Sequence, residues 1–267
     1  MNKTVTLLIS CMHEKDTSII QRSNVQSDVV VVNQCDHDSI EEFDFVNNTG
    51  KTCHVKFINT TERGLSRSRN MAIANAIGDI CLICDNDEVL VDNYETLITE
   101  AYEKNGDINC ITFAIERNDL SLKKTYSSTP HKVGLKQIMQ TSSVQITFRT
   151  KMVRKHNIRF DVKLGSGSGN GAGEENKFLL DIKKCGEKIL FWPSNIGEVI
   201  AGKSLWFKGF TKEYMKNQGW SSRRSLGFSL GLLYILQFWV RRKKIYSKDI
   251  SIFDAIKYMT IGFFEKR

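Results

Sequence analysis

Apolar and polar positions along this chain fall into two kinds of run, and their alternation predicts an α/β domain. Short continuous apolar runs occupy residues 4–10, 28–32, 80–84, 109–115 and 144–149. Runs of this kind suit strands covered on both faces of a mostly parallel sheet flanked by helices. A further strand is expected at 54–58, and a last one at 188–192, ending at Pro193. Between the strands, apolar residues recur at helical spacing. Ile19 and Ile20 mark a short helix within 16–24, and Met71, Ile73, Ala74 and Ile77 mark a second. Val91, Tyr94, Leu97, Ile98 and Ala101 mark a third, and residues 150–156 a fourth. Gly78 stands where the second helix should stop. Residues 37–53 are polar and acidic with an Asn-Asn-Thr-Gly turn signal, so a surface excursion is expected there. Residues 116–141 carry lysines and little pattern, as a mobile loop or hairpin would.

The last third follows a different pattern. Residues 226–240 are nearly unbroken in apolar character, bounded by Arg223-Arg224 and by Arg241-Arg242-Lys243-Lys244. A helix of that length spans about 22 Å, short of the roughly 30 Å hydrocarbon core of a bilayer. Positive charge at both ends also gives no orientation signal, so a spanning helix is disfavoured. Residues 251–264 place Ile252, Ile256, Met259 and Phe263 on one helical stripe, and residues 206–220 are aromatic and basic. The division expected is a catalytic domain over 1–200 and a basic, amphipathic helical extension over 201–267.

Charge sharpens this division. The 267 residues carry 38 basic and 30 acidic side chains, a net +8, yet residues 201–267 alone hold 14 basic against 4 acidic. The basicity belongs to the tail, which could meet an anionic membrane surface or pack its helices on the domain. Nucleic acid is not expected as a partner, because the tail aromatics sit in apolar runs rather than interleaved with basic residues. The 41% hydrophobic content supports a real core and excludes disorder. Seven cysteines are an odd number, and Cys81 and Cys84 fall on a buried strand rather than a turn. They read as free thiols in a reducing cytoplasm. The first residues lack a signal-peptide pattern, so a cytoplasmic protein is expected.

The chemistry concentrates in two places. Asp85 and Asp87 follow the buried strand 80–84, where an open α/β sheet places its ligands. Two carboxylates one residue apart can share a hard divalent cation such as Mg2+ or Mn2+, which then reaches phosphate oxygens; alternatively Asp85-Asn86-Asp87 is only a polar turn. Arg69 offers a planar fork suited to a diphosphate. The second place is LGSGSGNGAGEENKF, residues 164–178, with five glycines before a helix that opens on Glu174-Glu175-Asn176. Such a loop lets backbone approach or close over a ligand, or serves as a flexible linker. Acids at a helix N-terminus are also favoured by the helix dipole. His13, after the first strand, reads either as a ligand or as a structural hydrogen-bonder.

SRSRNMAIANAIGDICLICDNDE, residues 66–88, and GEENKF, residues 173–178, resemble the two central motifs of family-two inverting glycosyltransferases with the GT-A fold, of the bacterial capsule and O-antigen type. The resemblance implies a GT-A nucleotide-diphospho-sugar transferase fold, with nucleotide-sugar binding over about 1–90 and the acceptor side over about 110–200. It implies metal-dependent inverting transfer of a hexosyl group from a nucleoside-diphosphate sugar, a UDP-sugar foremost, to a carbohydrate or lipid-linked acceptor. By the same resemblance Asp87, with Asp85, holds the metal. Ser10, Cys11, Asn33, Arg69, Asp85 and Asn86 bind the donor. Glu175 is the general base with Glu174 beside it, and the enzyme works at the inner face of the plasma membrane. Three positions depart from the family pattern. Ser10-Cys11-Met12-His13 stands where Pro-Thr-Tyr-Asn is usual, Asn33-Gln34 where aspartates are, and Glu175 where Asp is. An inactive membrane-associated scaffold of the same fold, or a nucleotidyltransferase, are the alternative expectations; the second lacks its glycine- and lysine-rich loop after the first strand.

Overall fold

Valine, isoleucine and leucine fill the first strands so completely that neither face can be left in water, and the chain solves this by stacking helices on both. The structure, a computed structural model, describes residues 3–117, 124–200, 207 and 209–267. Among these, ten strands form one sheet: β1 (Val5–Met12), β2 (Asp28–Gln34), β3 (Ser39–Val46), β4 (Thr52–Thr60), β5 (Ile80–Asp85), β6 (Glu88–Leu90), β7 (Cys110–Arg117), β8 (His131–Lys132), β9 (Ile146–Arg149) and β10 (Ile189–Val199). Their order is β3-β4-β2-β1-β5-β9-β7-β10-β6, with β8 paired to β10. The helices are α1 (Ile19–Arg22), α2 (Leu65–Asn75), α3 (Tyr94–Lys104), α4 (Leu135–Ile138), α5 (Thr150–Lys155), α6 (Glu174–Lys184), α7 (Lys212–Arg241), α8 (Lys243–Tyr246) and α9 (Ile252–Phe264).

Successive β1 residues alternate between two cores. Leu8 joins Val30, Val32 and Ile83 on the face that α6 covers through Phe178 and Leu179. Leu7 and Ile9 join Val31, Leu82, Tyr94 and Tyr102 on the other face. Full burial of each such side chain contributes about 1.5–3 kcal/mol. β4, β2, β1 and β5 run parallel, whereas β9 lies antiparallel between β5 and β7 and makes the second half of the sheet mixed.

Several sequence expectations are corrected. Residues 39–46 are not a surface excursion but edge strand β3, paired antiparallel with β4; Asn47 Oδ1 closes the hairpin by accepting from Thr49 N and Lys51 N. Its acidic outer face hid the alternation of Phe43 and Phe45, which pack against the core. α2 ends at Asn75, before Gly78, so Ile77 is 68% exposed rather than core. Gly78 instead permits close approach: a Cβ there would lie 2.7 Å from Thr6 Oγ1. β10 continues past Pro193 by shifting register between Trp192 and Asn195. In the loop expected at 116–141, β8 and α4 form; residues 118–123 lie outside the described residues, as do 206 and 208 of the aromatic basic stretch.

The C-terminal helices form a small bundle with its own core of Met215, Ile235, Phe238, Tyr246, Met259 and Phe263. α7 reverses at Gly227 (φ 77°, ψ −167°), so its halves, 212–226 and 228–241, lie side by side. Gln218 Nε2 accordingly donates to Tyr234 Oη at 2.8 Å. α9 crosses the first half at Gly219 and Gly262, where a Cβ would sit 2.0 Å from the Met259 carbonyl oxygen and 1.8 Å from that of Lys216. No helix among the described residues is long and apolar enough to cross a membrane. All seven cysteines are free and six are buried.

Candidate active site

The register of the parallel strands collects the expected donor-side residues at one edge. Ser10 lies opposite Asp85, and Cys11 opposite Asn33. α2 covers this edge, with Ser68 Oγ donating to Ser10 Oγ at 3.0 Å. The next residue, Arg69, is only 2% exposed. Its Nη2 donates to Asp85 Oδ1 at 2.8 Å and Oδ2 at 3.0 Å, and its Nη1 to Glu174 Oε1 at 2.9 Å. Its guanidinium lies 5.4 Å from the Phe160 ring centroid. Burial pulls its pKa down, but Asp85 and Glu174 outweigh burial and hold it above its ordinary value. Asn70 fixes the aromatic partner, exchanging hydrogen bonds with the Phe160 carbonyl and N–H at 2.9 and 2.8 Å. Phe160 in turn stacks on Phe178 of α6 at 4.3 Å.

Asp85 also accepts from Ser143 Oγ at 2.9 Å. Asn86 and Asp87 turn outward and are exposed. Although Asp87 reaches solvent, desolvation by the protein packed around it, then repulsion from Asp85, lifts its carboxyl above its ordinary value. Glu88 points inward, 3% exposed, with Oε2 unpartnered; burial, followed by Asp85, raises it well above its ordinary value. No group of three or more His, Cys, Asp or Glu side chains poised for a metal occurs among the described residues. Hard oxygen donors and mutual repulsion between Asp85 and Asp87 nonetheless fit Mg2+ or Mn2+, with the remaining ligands drawn from diphosphate and water.

The glycine-rich segment is an ordered bridge rather than a linker. Every second residue, Gly165, Gly167, Gly169, Gly171 and Gly173, has positive φ. The segment locks onto the start of α2: Leu65 N–H donates to the Ser166 carbonyl at 2.9 Å and Ser66 Oγ to the Leu164 carbonyl at 2.7 Å. At Gly165 a Cβ would come within 3.1 Å of Ser66 Oγ and the Glu174 carboxyl carbon. The far side is braced by the C-terminal bundle. Arg267 Nη1 donates to Asn170 Oδ1 at 2.8 Å and to Asn217 Oδ1 at 2.7 Å, while Arg224 forks onto Asp161 at 2.5 and 2.8 Å. The bridge delivers Glu174 to Arg69. The next residue, Glu175, has Oε2 buried without a partner. Burial first and Glu174 second raise its carboxyl well above the ordinary range, against the opposing pull of Arg69.

Beside these acids lies a cavity of about 580 Å3, lined by Lys124, Tyr126, His131, Thr141, Gln145 and Phe191 among others. Burial, with Arg117 adding to it, pushes Lys124 down to about 8, while Glu175 opposes the shift. Its Nζ donates to the Gln140 carbonyl at 2.7 Å.

The structure thus brings together Arg69, Asp85 and Glu174, with Asp87 and Glu175 adjacent. Other expected donor residues are placed differently. Asn33 is fully buried, its Nδ2 donating to the Glu14 carbonyl at 2.9 Å and to Asn59 Oδ1 at 2.8 Å, and its Oδ1 accepting from Glu14 N. Its amide is used to hold the loop after β1. Cys11 is likewise buried, with Sγ 3.6 Å from the Val32 carbonyl oxygen; burial raises its thiol pKa strongly. His13 is exposed with φ 58°. Sequence reasoning missed Glu88, Ser143 and Phe160. Glu88 could have been found as an acid continuing an apolar strand pattern, whereas Ser143 and Phe160 carry no local signal.

A parallel sheet edge with an aspartate pair beyond it, and an arginine that ties the first aspartate to the first of two glutamates, stand where the glycosyltransferase resemblance expects donor and base. The chain belongs to glycosyl transferase family 2: the profile of that family matches residues 17–165, more than half of the chain. It is a glycosyltransferase with the GT-A fold, as expected. The profile match ends before Glu174. Among solved structures, the chain is similar to S. aureus TarS 1-349, at TM-score 0.64 and 13% identity over 97% of this chain and 80% of that one. The same protein in complex with UDP-GlcNAc matches at TM-score 0.62 and 15% identity, over 97% and 79%. Against the longer S. aureus TarS the chain spans 46% of the other chain at TM-score 0.60 and 15% identity. Likeness at these identities speaks for the fold. Among curated proteins nothing matches.

Proposed function

We propose that the chain transfers a hexosyl group from a UDP-sugar to a carbohydrate acceptor with inversion, in the assembly of a cell-surface polysaccharide. The observation that carries this reading is Arg69, whose single guanidinium joins Asp85 to Glu174, 89 positions later in sequence. It brings a diphosphate-facing acid pair and a candidate base into one cluster. The TarS structures with UDP and with UDP-GlcNAc share this fold, which favours a uridine donor.

In this reading Asp85 and Asp87 hold Mg2+ or Mn2+, which when bound supplies Lewis-acid stabilisation of the leaving diphosphate. Arg69 holds Asp85 in place, and the backbone edge at Ser10 and Cys11 flanks the nucleoside. Glu175 takes the proton from the acceptor hydroxyl as that oxygen bonds to the anomeric carbon. The bond from that carbon to the diphosphate oxygen breaks, and the diphosphate departs with its electron pair. Attack and departure on opposite faces invert the anomeric centre. A carboxyl with a raised pKa is a stronger base once ionised, which suits it to this task at neutral pH.

The basic bundle supplies the membrane side of the proposal. Phe228, Leu233, Val240, Phe253 and Phe264 are exposed, with Arg241, Arg242, Lys243 and Lys244 beside them. An interfacial helix pair of this composition sits on anionic lipid, at the inner face of the plasma membrane. The test is donor turnover: UDP release from UDP-GlcNAc and related UDP-sugars, with Mn2+ and with chelator. Metal-dependent release from at least one donor is expected, and no release from any nucleotide-sugar would refute the reading.

A further inference from the structure

The ribbon over residues 165–173 alternates glycine with serine, asparagine and alanine, so it has almost no side chains of its own to pack. Each glycine also has much conformational freedom to lose, and the shape of the ribbon must be set from outside. One flank is held by the start of α2, through Leu65 and Ser66. The other is held by two arginines of the C-terminal bundle, which belong to one unit. The guanidinium carbons of Arg224 and Arg267 lie over the Trp220 ring, 5.3 and 5.4 Å from its centroid. Trp220 is itself buried, 4% exposed.

Two cations over one indole would repel, but each brings its own carboxylate. Arg224 forks onto both oxygens of Asp161. Arg267 Nε and Nη2 donate to Glu265 Oε2 at 3.0 and 2.8 Å, which leaves Nη1 for Asn170 and Asn217. Burial raises the Asp161 carboxyl, yet the Arg224 hydrogen bond outweighs it and holds the group below its ordinary value. A planar guanidinium with a ring on its face and acceptors along its edge is fixed in both position and tilt. The two acceptors are the shoulders of the ribbon, and Lys163 joins them. Its N–H donates to Asp161 Oδ1 at 3.1 Å, and its carbonyl accepts from Asn170 Nδ2 at 3.1 Å. Asp161 also follows Phe160, which stacks on Phe178 of α6 and lies beneath Arg69. The unit therefore bears on the start of α6 by two routes, the ribbon and the Phe160 ring.

We propose that Arg224, Trp220 and Arg267 form a clamp that positions Glu175 for catalysis by fixing the ribbon from the bundle side. This rests on the transfer reaction proposed above, in which Glu175 is the base. The bundle has an apolar core of its own, and it meets the ribbon through directional forks rather than through that core. The donor side is set differently: Asp85 ends β5, in register with β1. Loosening the clamp should therefore separate turnover from donor binding. Displacement of a reacting group by about 1 Å costs on the order of 10²-fold in rate. Simple adhesion between bundle and domain would instead move stability and donor binding together.

The test joins hydrogen exchange of the 165–175 amides to UDP release from UDP-GlcNAc and related UDP-sugars, with Mn2+. The paired variant Arg224→Gln with Asp161→Asn removes the fork without stranding a charge. Exchange over 165–175 is expected to rise at least about tenfold. Its kcat should fall by about 10- to 10²-fold, with KM for the sugar nucleotide and the melting temperature unchanged. Arg224→Lys keeps the charge but not the fork and should behave like the paired variant. Trp220→Phe keeps an aromatic face and should stay near wild type, whereas Trp220→Leu should not. Unchanged exchange in the paired variant would overturn the clamp, and a loosened ribbon with full kcat would overturn its role in positioning. A kcat loss matched by a raised KM and a lowered melting temperature would reduce the three residues to adhesion. Absence of UDP release from the wild-type chain refutes the transfer reading and the role in turnover with it, while exchange still decides whether the clamp orders the ribbon.

Discussion

The two acid pairs, Asp85 with Asp87 and Glu174 with Glu175, are built alike and left in different states. In each, the first acid is bound by Arg69 and the second is not. Asp87 and Glu175 are both raised above their ordinary values, for the same two reasons in the same order: desolvation, then repulsion from the neighbouring acid of the pair. They differ in access. Asp87 is exposed and open to a cation from solvent, whereas Glu175 has a carboxylate oxygen sealed without a partner. The arginine thus fixes geometry through one member of each pair, and in the proposed reaction the other member carries the chemistry. Stability and reactivity should separate along the same line.

The largest expected effect breaks the reactive half. Glu175→Gln should lower kcat by about 10²- to 10⁴-fold while UDP-sugar affinity, read by calorimetry, stays unchanged. Full transfer in this variant would remove Glu175 as the base. Asp87→Asn should instead weaken metal-dependent UDP binding, sharpening the contrast between the pairs. The structural half breaks next: Arg69→Met leaves Asp85 and Glu174 without their shared cation. It should cost about 3–5 kcal/mol in urea unfolding. Converting Glu174 to Gln in that background should restore part of the loss, because one of the two stranded charges is gone.

A pH profile tests the same division without mutation. The base must be ionised, and its folded pKa is raised, so log kcat/KM should climb with pH and level off only above the ordinary carboxylate range. A plateau already complete near pH 5 would count against Glu175. The smallest effect concerns Glu88, whose folded pKa lies well above 4.5. Below pH 4.5 both folded and unfolded chains carry its proton and the stability it contributes is complete. As pH rises the unfolded carboxyl ionises first, and stability falls by about 1.4 kcal/mol per pH unit until the folded pKa is reached. Glu88→Gln should remove that slope from the melting curve.

Much of this arrangement was legible in sequence. Val29–Val32 and Ile80–Cys84 declare buried parallel strands because nothing polar interrupts them, and Asp85, Asp87, Glu174 and Glu175 stand at element ends where local pattern is informative. The joining of the two pairs was not legible. Arg69 faces inward through helix phase, but its reach to Glu174 depends on how the glycine segment crosses α2, a contact between residues far apart in the chain. Asn33 illustrates the same limit: its strand position was evident, while the use of its amide on Glu14 and Asn59 depends on loops meeting in space. The reversal at Gly227 was hidden by the unbroken apolar run around it. Apolar periodicity records which residues are buried, and the same residues serve a straight helix or two packed halves.

The glycine segment invites a stereochemical view. From Gly165 to Gly173 every second residue takes a backbone twist that L-amino acids resist and their mirror images prefer. An added methyl would meet neighbours at Gly165, Gly167 and Gly171 but nothing within 4 Å at Gly169 or Gly173. At those last two positions the obstacle is handedness alone. The ribbon that carries Glu174 to Arg69 therefore alternates left and right along its length, a pattern that the twenty encoded residues can write only by repeating the achiral one.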